Sequence, residues 1–407
     1  MNFDFKEIDG GVCAPGGFRA AAAATGIKHN GNADMAAILC DHTCPAAAMF
    51  TTNKVTAAPV VLSRSNIADG YARGILANSG NANACNQTAA DTAQQSLDII
   101  AGATSASPSE FIIASTGVIG QDLPARHFTD GIPEIIRNLS HDGSGDAARA
   151  IMTTDTIVKE FAVEFDLGGV PCRIGAIGKG SGMININLAT MLVFITTDVA
   201  ITPGMLKSAL GSSATVTLNQ VYIDGDMSTN DTTAILASGN ANNKIIESDT
   251  EDYNVFCAAL TVILTKMSRA LARDGEGATK LIECRVTGAT SNTVARAIAK
   301  TVVGSDLFKA AVFAADANWG RAICAVGYTP GNFPVDDITI TLKSRAGEVV
   351  VCSHSTQQGY DEQQASTILG EDEITVAIDM GDGNGKGAAW GCDLTYDYIK
   401  INAEYRS

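Results

Sequence analysis

At 407 residues, with 46% apolar and 18% charged side chains, the chain carries enough core-forming material for two domains or one large mixed domain, which excludes a disordered protein. A net charge of −16, with Lys and Arg scattered, repels a phosphate backbone and disfavours nucleic acid; an anionic small ligand would need locally concentrated cations. The opening MNFDFKEIDGGVCAPGGF lacks the basic-then-apolar order of a signal peptide, and no uninterrupted run approaches the roughly 20 apolar residues that cross a bilayer, so a cytoplasmic protein without membrane contact is expected.

In chain order, residues 11–27 are rich in Gly and Ala and suit close backbone packing. Residues 56–64 and 75–79 read as short strands, the second running into the polar loop SGNANACN at 79–86. Helical spacing marks 89–101, and FIIAS at 111–115 is a compact apolar strand opening onto Thr116-Gly117. A helix over 130–139 and a short Ala-rich helix over 145–152 precede Thr153, and strands follow around 159–166 and 172–177. Val193, Phe194 and Ile195 favour a strand after Thr190, and ITPGMLKSALG reads as a proline-started helix stopped by Gly211. A strand with an acidic turn is expected over 216–226. The longest helix covers 255–273, with Phe256, Leu260, Ile263, Met267 and Leu271 on one face. Another helix follows Ser291, and 338–344, 348–353 and 374–380 alternate as strands. The C-terminal segment from Asp393 alternates apolar and polar residues nearly to its end, which suggests a tail bound into the body of the fold, with Asn402 and Ser407 in a pocket.

The segment with the most chemistry in it runs from Gly178-Lys179-Gly180 through Ala189-Thr190 into the following strand. It is not a phosphate loop, because Arg173 stands where that motif needs glycine and Gly180 follows the lysine in place of a hydroxyl residue. The five histidines are dispersed and the cysteines show no ligand spacing, so neither a His-dependent triad nor a zinc site is supported; the acceptor patterns at Asn86, Asn138 and Asn230 matter only in a secreted chain. Thr190 stands where a glycine-rich loop becomes a strand. It is either a strand threonine with its methyl group in the core or a nucleophile whose base is the amine it gains when the preceding bond is cut. Thr116 and Gly117 are either a turn cap or an oxyanion hole. Lys179 either faces solvent or meets a carboxylate, and Glu276 is either a surface-turn residue or a partner for a cation.

Seven blocks in order resemble the ArgJ family of glutamate N-acetyltransferases, also called ornithine acetyltransferases: SGNANACN (79–86), STGVIG (115–120), MTTDT (152–156), KGSGM (179–183), LATML (188–192), DGEGATK (274–280) and DLTYDYIKINAEYRS (393–407). The resemblance implies a mixed α/β fold of DmpA/ArgJ type, with stacked β-sheets covered by helices, and a precursor that cuts itself between Ala189 and Thr190. An α-chain of 1–189 and a β-chain of 190–407 would then associate as an α2β2 heterotetramer. It further implies ping-pong transfer of an acetyl group from N-acetylornithine to glutamate through an acetyl-Thr190 ester, releasing ornithine and N-acetylglutamate in arginine biosynthesis. Thr116 and Gly117 would form the oxyanion hole, and Thr153, Lys179, Thr190, Glu276, Asn402 and Ser407 would contact substrate. No metal and no cofactor is implied. Acetyl-CoA stands as an alternative donor in some members; the absence of a recognisable CoA phosphate site leans toward a recycling-only enzyme. The other readings are a threonine-dependent amidase or aminopeptidase of related fold and a noncatalytic amino-acid-binding relative. The chain departs from the family pattern at Ile186, where proline is common, at Leu188 for methionine, and at Ala317 for proline; losing a proline removes a fixed φ.

Overall fold

The computed structural model describes residues 5–185, 191–381 and 383–404. Two compact units divide the chain: Met1–Gly180, Asn187–Thr215 and Met227–Met267 form the first, and Ser181–Ile186, Val216–Asp226 and Ser268–Ser407 the second. Each holds one mixed sheet with helices packed on it, as the α/β reading requires.

In the first unit the strands run in the spatial order Lys6–Ile8, Lys159–Leu167, Val170–Lys179, Leu192–Thr197, Thr232–Ala237, Met35–Phe50, Tyr71–Asn78 and Phe111–Ser115, with Phe18–Ala23 also pairing Met35–Phe50. Leu192–Thr197 is antiparallel to Val170–Lys179, placing Leu192 opposite Lys179, and parallel to Thr232–Ala237. Period-two alternation sorts the side chains onto two faces. Ile38, Cys40, Ile75 and Ile112 join the core beneath Ala147, Ala148 and Ile151 of the helix Ser144–Ile151. Leu39, Leu76, Phe111 and Ile113 join Leu97 and Ile100 of Ala89–Thr104 and Phe128, Ile132 and Ile135 of Arg126–Asn138. A sheet covered on both faces needs apolar residues at consecutive positions, which is why FIIAS shows no polar alternation.

The second unit orders its strands Thr356–Gln357, Gly347–Ser353, Thr339–Ser344, Glu373–Asp379, Leu281–Ala289, Gly385–Cys392, Val221–Met227 and Ile184–Asn185. Ile282, Cys284, Ile340, Leu342, Val376 and Ile378 pack in one core with residues of Asn292–Val303, Asp306–Phe313, Trp319–Gly327 and Glu362–Leu369. Glu283 and Glu373 take the alternate positions and both pair with Arg269.

Most expected elements occur, and four differ for identifiable reasons. Residues 56–64 are not a strand but part of the helix Ala58–Asn66: Pro59 occupies its first turn, where a missing N–H costs nothing, and Val60 and Ser63 face inward while Val61 is exposed. Gly211 does not stop its helix, which continues over Pro203–Val216; space is open around Gly211, so only helix propensity is lost. The strand expected from 216 begins at Val221 after a helical turn, and Asp224, expected in a turn, lies inside it. The C-terminal segment is helical over Tyr396–Ala403, started by the Thr395 hydroxyl, which accepts from the Tyr398 N–H. By length and composition, Glu251–Arg273 is apolar enough to cross a membrane, but Phe256, Leu260, Ile263 and Met267 on it are fully buried, as on a core helix. All ten cysteines are free thiols, with Cys85 and Cys324 exposed.

The helix Ala58–Asn66 also closes the edge of the first sheet. The Ser63 hydroxyl donates to the Ile113 carbonyl at 2.7 Å and accepts from the Ile113 N–H at 2.8 Å, while Asn66 Nδ2 donates to the Phe111 carbonyl at 2.9 Å. An edge strand's spare backbone groups are thereby satisfied. Ser63→Ala orphans both Ile113 groups and is expected to cost about 1–3 kcal/mol, read as a lower denaturant midpoint at unchanged m.

Candidate active site

Thr116 follows the strand Phe111–Ser115, and its own N–H is already used, donating to the Asn78 carbonyl at 3.0 Å. Its side chain is the available group. The Thr116 hydroxyl accepts from Lys179 Nζ at 3.2 Å, which leaves its O–H to donate onward beside a buried ammonium. Gly117 has φ of +132° and lies against Gly80, where an added Cβ would sit 2.3 Å from the Gly80 carbonyl carbon; only glycine fits. Its N–H donates to none of the described residues. A side-chain hydroxyl and a backbone N–H therefore stand at adjacent positions.

Lys179 ends the strand Val170–Lys179 and is buried. The counter-charge comes from Asp155, in the loop between the helix Ser144–Ile151 and the strand Lys159–Leu167. Asp155 Oδ1 accepts from Lys159 Nζ at 2.8 Å and from the Gly180 N–H at 2.7 Å, and Oδ2 accepts from the Thr153 N–H at 3.0 Å. The side chains of Asp155 and Lys159 have no exposed surface. Burial works against the Asp155 charge, but Lys179, Lys159 and the Gly180 N–H outweigh it and hold its pKa at about 2. Asp155 thus ties Thr153 to the turn after Lys179. Thr153 and Asp155 also line a cavity of about 510 Å³ together with Lys28, Asn30, Asn32 and Arg149.

In the same unit Asp231 precedes the strand Thr232–Ala237 and accepts the Met191 N–H at 2.9 Å. Burial pushes its carboxyl well above the usual range, against the Met191 hydrogen bond and the Lys179 charge.

The second unit carries its own cluster. Glu276 donates its N–H to the Ser181 carbonyl at 2.8 Å, and its Oε2 accepts from Asn402 Nδ2 at 2.7 Å. Gly182 is needed beneath it, because a Cβ there would meet the Glu276 carboxyl at 2.5 Å. The Thr395 hydroxyl donates to the Gly277 carbonyl, and Asp393 accepts from the Thr279 and Lys280 N–H groups, so the glutamate's turn is pinned to the C-terminal segment. Asp224 accepts from the Met183 and Ile184 N–H groups at 2.5 and 2.8 Å, gripping the chain just before residue 186.

The sequence pattern of the ArgJ family matches residues 19–407. This chain belongs to the ArgJ family. It is 42% identical over 401 residues to the arginine biosynthesis bifunctional protein ArgJ of Caldanaerobacter subterraneus subsp. tengcongensis, covering 98% of this chain and 99% of that one. The protein of the same description from Symbiobacterium thermophilum is 45% identical over 408 residues, again with 98% and 99% covered. A crystal structure of the arginine biosynthesis bifunctional protein ArgJ from Bacillus halodurans matches at 44% identity and a TM-score of 0.50, over 98% of its own chain and 52% of this one.

Of the residues expected from the ArgJ pattern, Thr116, Gly117, Thr153 and Lys179 lie in the first unit, where Lys179 joins Thr116 and Asp155 joins Thr153 to Gly180. Glu276 and Asn402 form a hydrogen-bonded pair in the second. Ala189, Thr190 and Ser407 lie outside the described residues. Sequence reasoning passed over Asp155, Lys159, Asp224 and Asp231. Asp155 sits within the MTTDT block, and its i,i+4 spacing to Lys159 was the available signal; Asp231 sits inside the Asn230 acceptor pattern, which drew attention to the asparagine alone.

Two carboxyl groups of the first unit respond to pH in opposite senses. Asp155, depressed from 3.8 to about 2, contributes stability that is present above pH about 4 and lost as pH falls toward 2. Asp231, raised, contributes stability below its unfolded value that is lost as pH rises toward its folded one. Asp155→Ala takes the carboxylate away from the buried Lys159 ammonium and is expected to cost about 3–5 kcal/mol. Chemical denaturation between pH 2 and 7 checks both points, because the acid-limb slope seen in the wild type should shrink in a folded Asp155→Asn variant.

Proposed function

We infer that this chain is a self-processing acetyltransferase that moves the acetyl group of N-acetylornithine to glutamate in arginine biosynthesis. The observation that carries it is the Lys179–Thr116 hydrogen bond beside the Gly117 N–H, which donates to none of the described residues, within a chain that matches the ArgJ pattern almost end to end. In processing, the Thr190 hydroxyl oxygen attacks the Ala189 carbonyl carbon. The C–N bond breaks to give an ester and an α-amine, and water hydrolyses the ester to free the Ala189 carboxylate and restore the hydroxyl. The new α-amine, with an unperturbed pKa of roughly 7.7–8.0, accepts the hydroxyl proton near neutrality. In turnover the same oxygen attacks the acetyl carbonyl of N-acetylornithine. Ornithine leaves with the proton, and the amino group of glutamate then attacks the acetyl-Thr190 ester; the C–O bond to Thr190 breaks, N-acetylglutamate leaves, and the proton lost by the amine restores the Thr190 hydroxyl.

Each tetrahedral intermediate carries an oxyanion. The Thr116 O–H, polarised by Lys179, and the Gly117 N–H are the donors suited to it, which supports their assignment as the oxyanion hole and favours the Thr116 side chain over its spent N–H. Thr153, Lys179, Thr190, Glu276, Asn402 and Ser407 are taken as the substrate contacts, with Glu276, oriented by Asn402, facing the cationic end of ornithine. No step requires a nucleotide or metal, since one amide is exchanged for another of similar energy.

The fragments 1–189 and 190–407 would stay joined because Leu192–Thr197 and Thr232–Ala237 are bracketed in the sheet by Val170–Lys179 and Met35–Phe50, all ladder-bonded. The half-length match of the Bacillus halodurans chain is what a two-chain protein predicts. Assembly as α2β2 and a cytoplasmic location complete this reading. Intact mass should show two fragments divided at Ala189-Thr190, and Thr190→Ala a single uncut, inactive chain. Purified wild type should form N-acetylglutamate from N-acetylornithine only with glutamate present. Acetate release without glutamate would instead identify a hydrolase, and binding without turnover a noncatalytic relative.

A second donor is favoured by one observation: the relatives that match across nearly the whole chain are described as bifunctional. Acetyl-CoA is the donor class that fits, against the recycling-only expectation drawn from the missing CoA phosphate site. Supplying acetyl-CoA and glutamate without N-acetylornithine should give N-acetylglutamate over many turnovers, and none in Thr190→Ala; a wild type inert in this assay is recycling-only.

A further inference from the structure

We propose that Asp231 is a positioning residue for self-cleavage and for acetyl transfer, which acts by accepting the N–H of Met191, the residue that follows Thr190. The proposal rests on Thr190 being the nucleophile. A nucleophile that becomes a chain terminus has an orientation problem: after the cut it keeps a single covalent anchor, the peptide bond to Met191. That peptide group is planar and contains the Thr190 α-carbon, so fixing the Met191 amide fixes the plane from which the nucleophile projects.

The structure holds Met191 on both sides of its α-carbon. The N–H of the Thr190–Met191 peptide donates to Asp231 Oδ1 at 2.9 Å, and the Met191 carbonyl, in the next peptide group, accepts from the Thr232 N–H at 3.1 Å. Asp231 is itself immobilised within five consecutive buried polar residues, Ser228 to Thr232. Thr51 donates its N–H to the Asp231 carbonyl at 3.0 Å and its hydroxyl to the Ser228 carbonyl at 2.7 Å, and Asn230 Nδ2 reaches the Ala82 carbonyl at 2.6 Å. Burying such a run is costly unless its groups are paired, so it is a poor solution for a loop whose only task is to connect. Asp231 stands out within it. It is 2% exposed, and its Oδ2 has no hydrogen-bond partner among the described residues.

Burial raises the Asp231 pKa well above the ordinary carboxylate value, against the Met191 hydrogen bond and the Lys179 charge. An asparagine keeps a carbonyl oxygen to accept the Met191 N–H in nearly the same volume but carries no charge. This separates a positioning role from a charged one: asparagine should substitute if Asp231 orients the amide, and fail if its negative charge serves as a base.

The test compares Asp231→Ala and Asp231→Asn in the full chain. Processing is followed by intact mass over time, and N-acetylglutamate formation is measured per cut chain, with circular dichroism and thermal melts as fold controls. Displacement of a reacting group by about 1 Å costs on the order of 100-fold. Asp231→Ala is therefore expected to slow cleavage about 100-fold and, in whatever fraction is cut, to lower kcat similarly with KM for N-acetylornithine little changed. Asp231→Asn is expected to stay within about 3-fold of wild type in both. Should Asp231→Ala not fold, Asp231→Ser, too short to reach the Met191 N–H, takes its place with the same expectation. The proposal is overturned by an alanine or serine variant that processes and turns over like wild type, by a loss expressed in KM alone, or by a folded Asp231→Asn as impaired as the alanine form. Activity surviving in Thr190→Ala would instead remove the nucleophile on which the proposal rests, whatever the Asp231 variants do.

Discussion

The pairing of Leu192–Thr197 with its two neighbours is the constraint on which the rest of the first unit depends. This strand lies between Val170–Lys179 and Thr232–Ala237, with Leu192 opposite Lys179 on one side and Thr232 on the other. One register decides three placements: where the strand that begins just after Thr190 starts, where Lys179 stands along its neighbour, and where Asp231 meets the Met191 amide. A slip of one residue would invert every side chain on the strand and separate those groups, and burial on both faces opposes such a slip. Val193, Phe194 and Ile195 are all at most 1% exposed, so the register is held by core packing as well as by the ladder.

The electrostatics follow from the same burial. In a chain of net charge −16, two buried lysines near Thr116 depend on one carboxylate. Lys159 and Lys179 share the Asp155 carboxylate, which also accepts two backbone N–H groups. A lysine held beside a hydroxyl in a low-dielectric setting polarises it more strongly than one in water, and this suits charge that develops transiently on a carbonyl oxygen. Asp231 marks the opposite case, a carboxyl whose pKa burial pushes up, useful as a hydrogen-bond acceptor. Two aspartates in one unit have their pKa values pushed in opposite directions by their surroundings.

Much of the architecture was legible because local pattern and tertiary environment agreed. FIIAS, the face of Phe256, Leu260, Ile263 and Met267, and the Ser291 helix start each announce their element through periodicity or capping. The misreadings fall where a local signal met a stronger partner. Two valines near Pro59 suggest a strand, yet that segment is a helix because Ser63 and Asn66 are needed against the open edge of Phe111–Ser115. The acidic turn expected near residue 224 is strand because Asp224 has backbone N–H groups of Met183 and Ile184 to accept. The alternating tail is helical, with Asn402 one turn beyond Tyr398 and bonded to Glu276.

The sequence by itself determined the family and the α/β class, and singled out Thr116, Gly117, Thr153, Lys179, Glu276 and Asn402 as candidates, because ordered blocks of unusual composition survive without any knowledge of contacts. Only the tertiary structure decided how some of them are wired: that Thr116 presents its hydroxyl because its N–H is bonded to Asn78, that Lys179 is answered by Asp155, and that Asp231 reaches the Met191 amide across 40 positions of chain. The physical reason is that a hydrogen bond depends on distance in space, and burial sets the charge of a carboxyl through neighbours that sequence separation does not reveal.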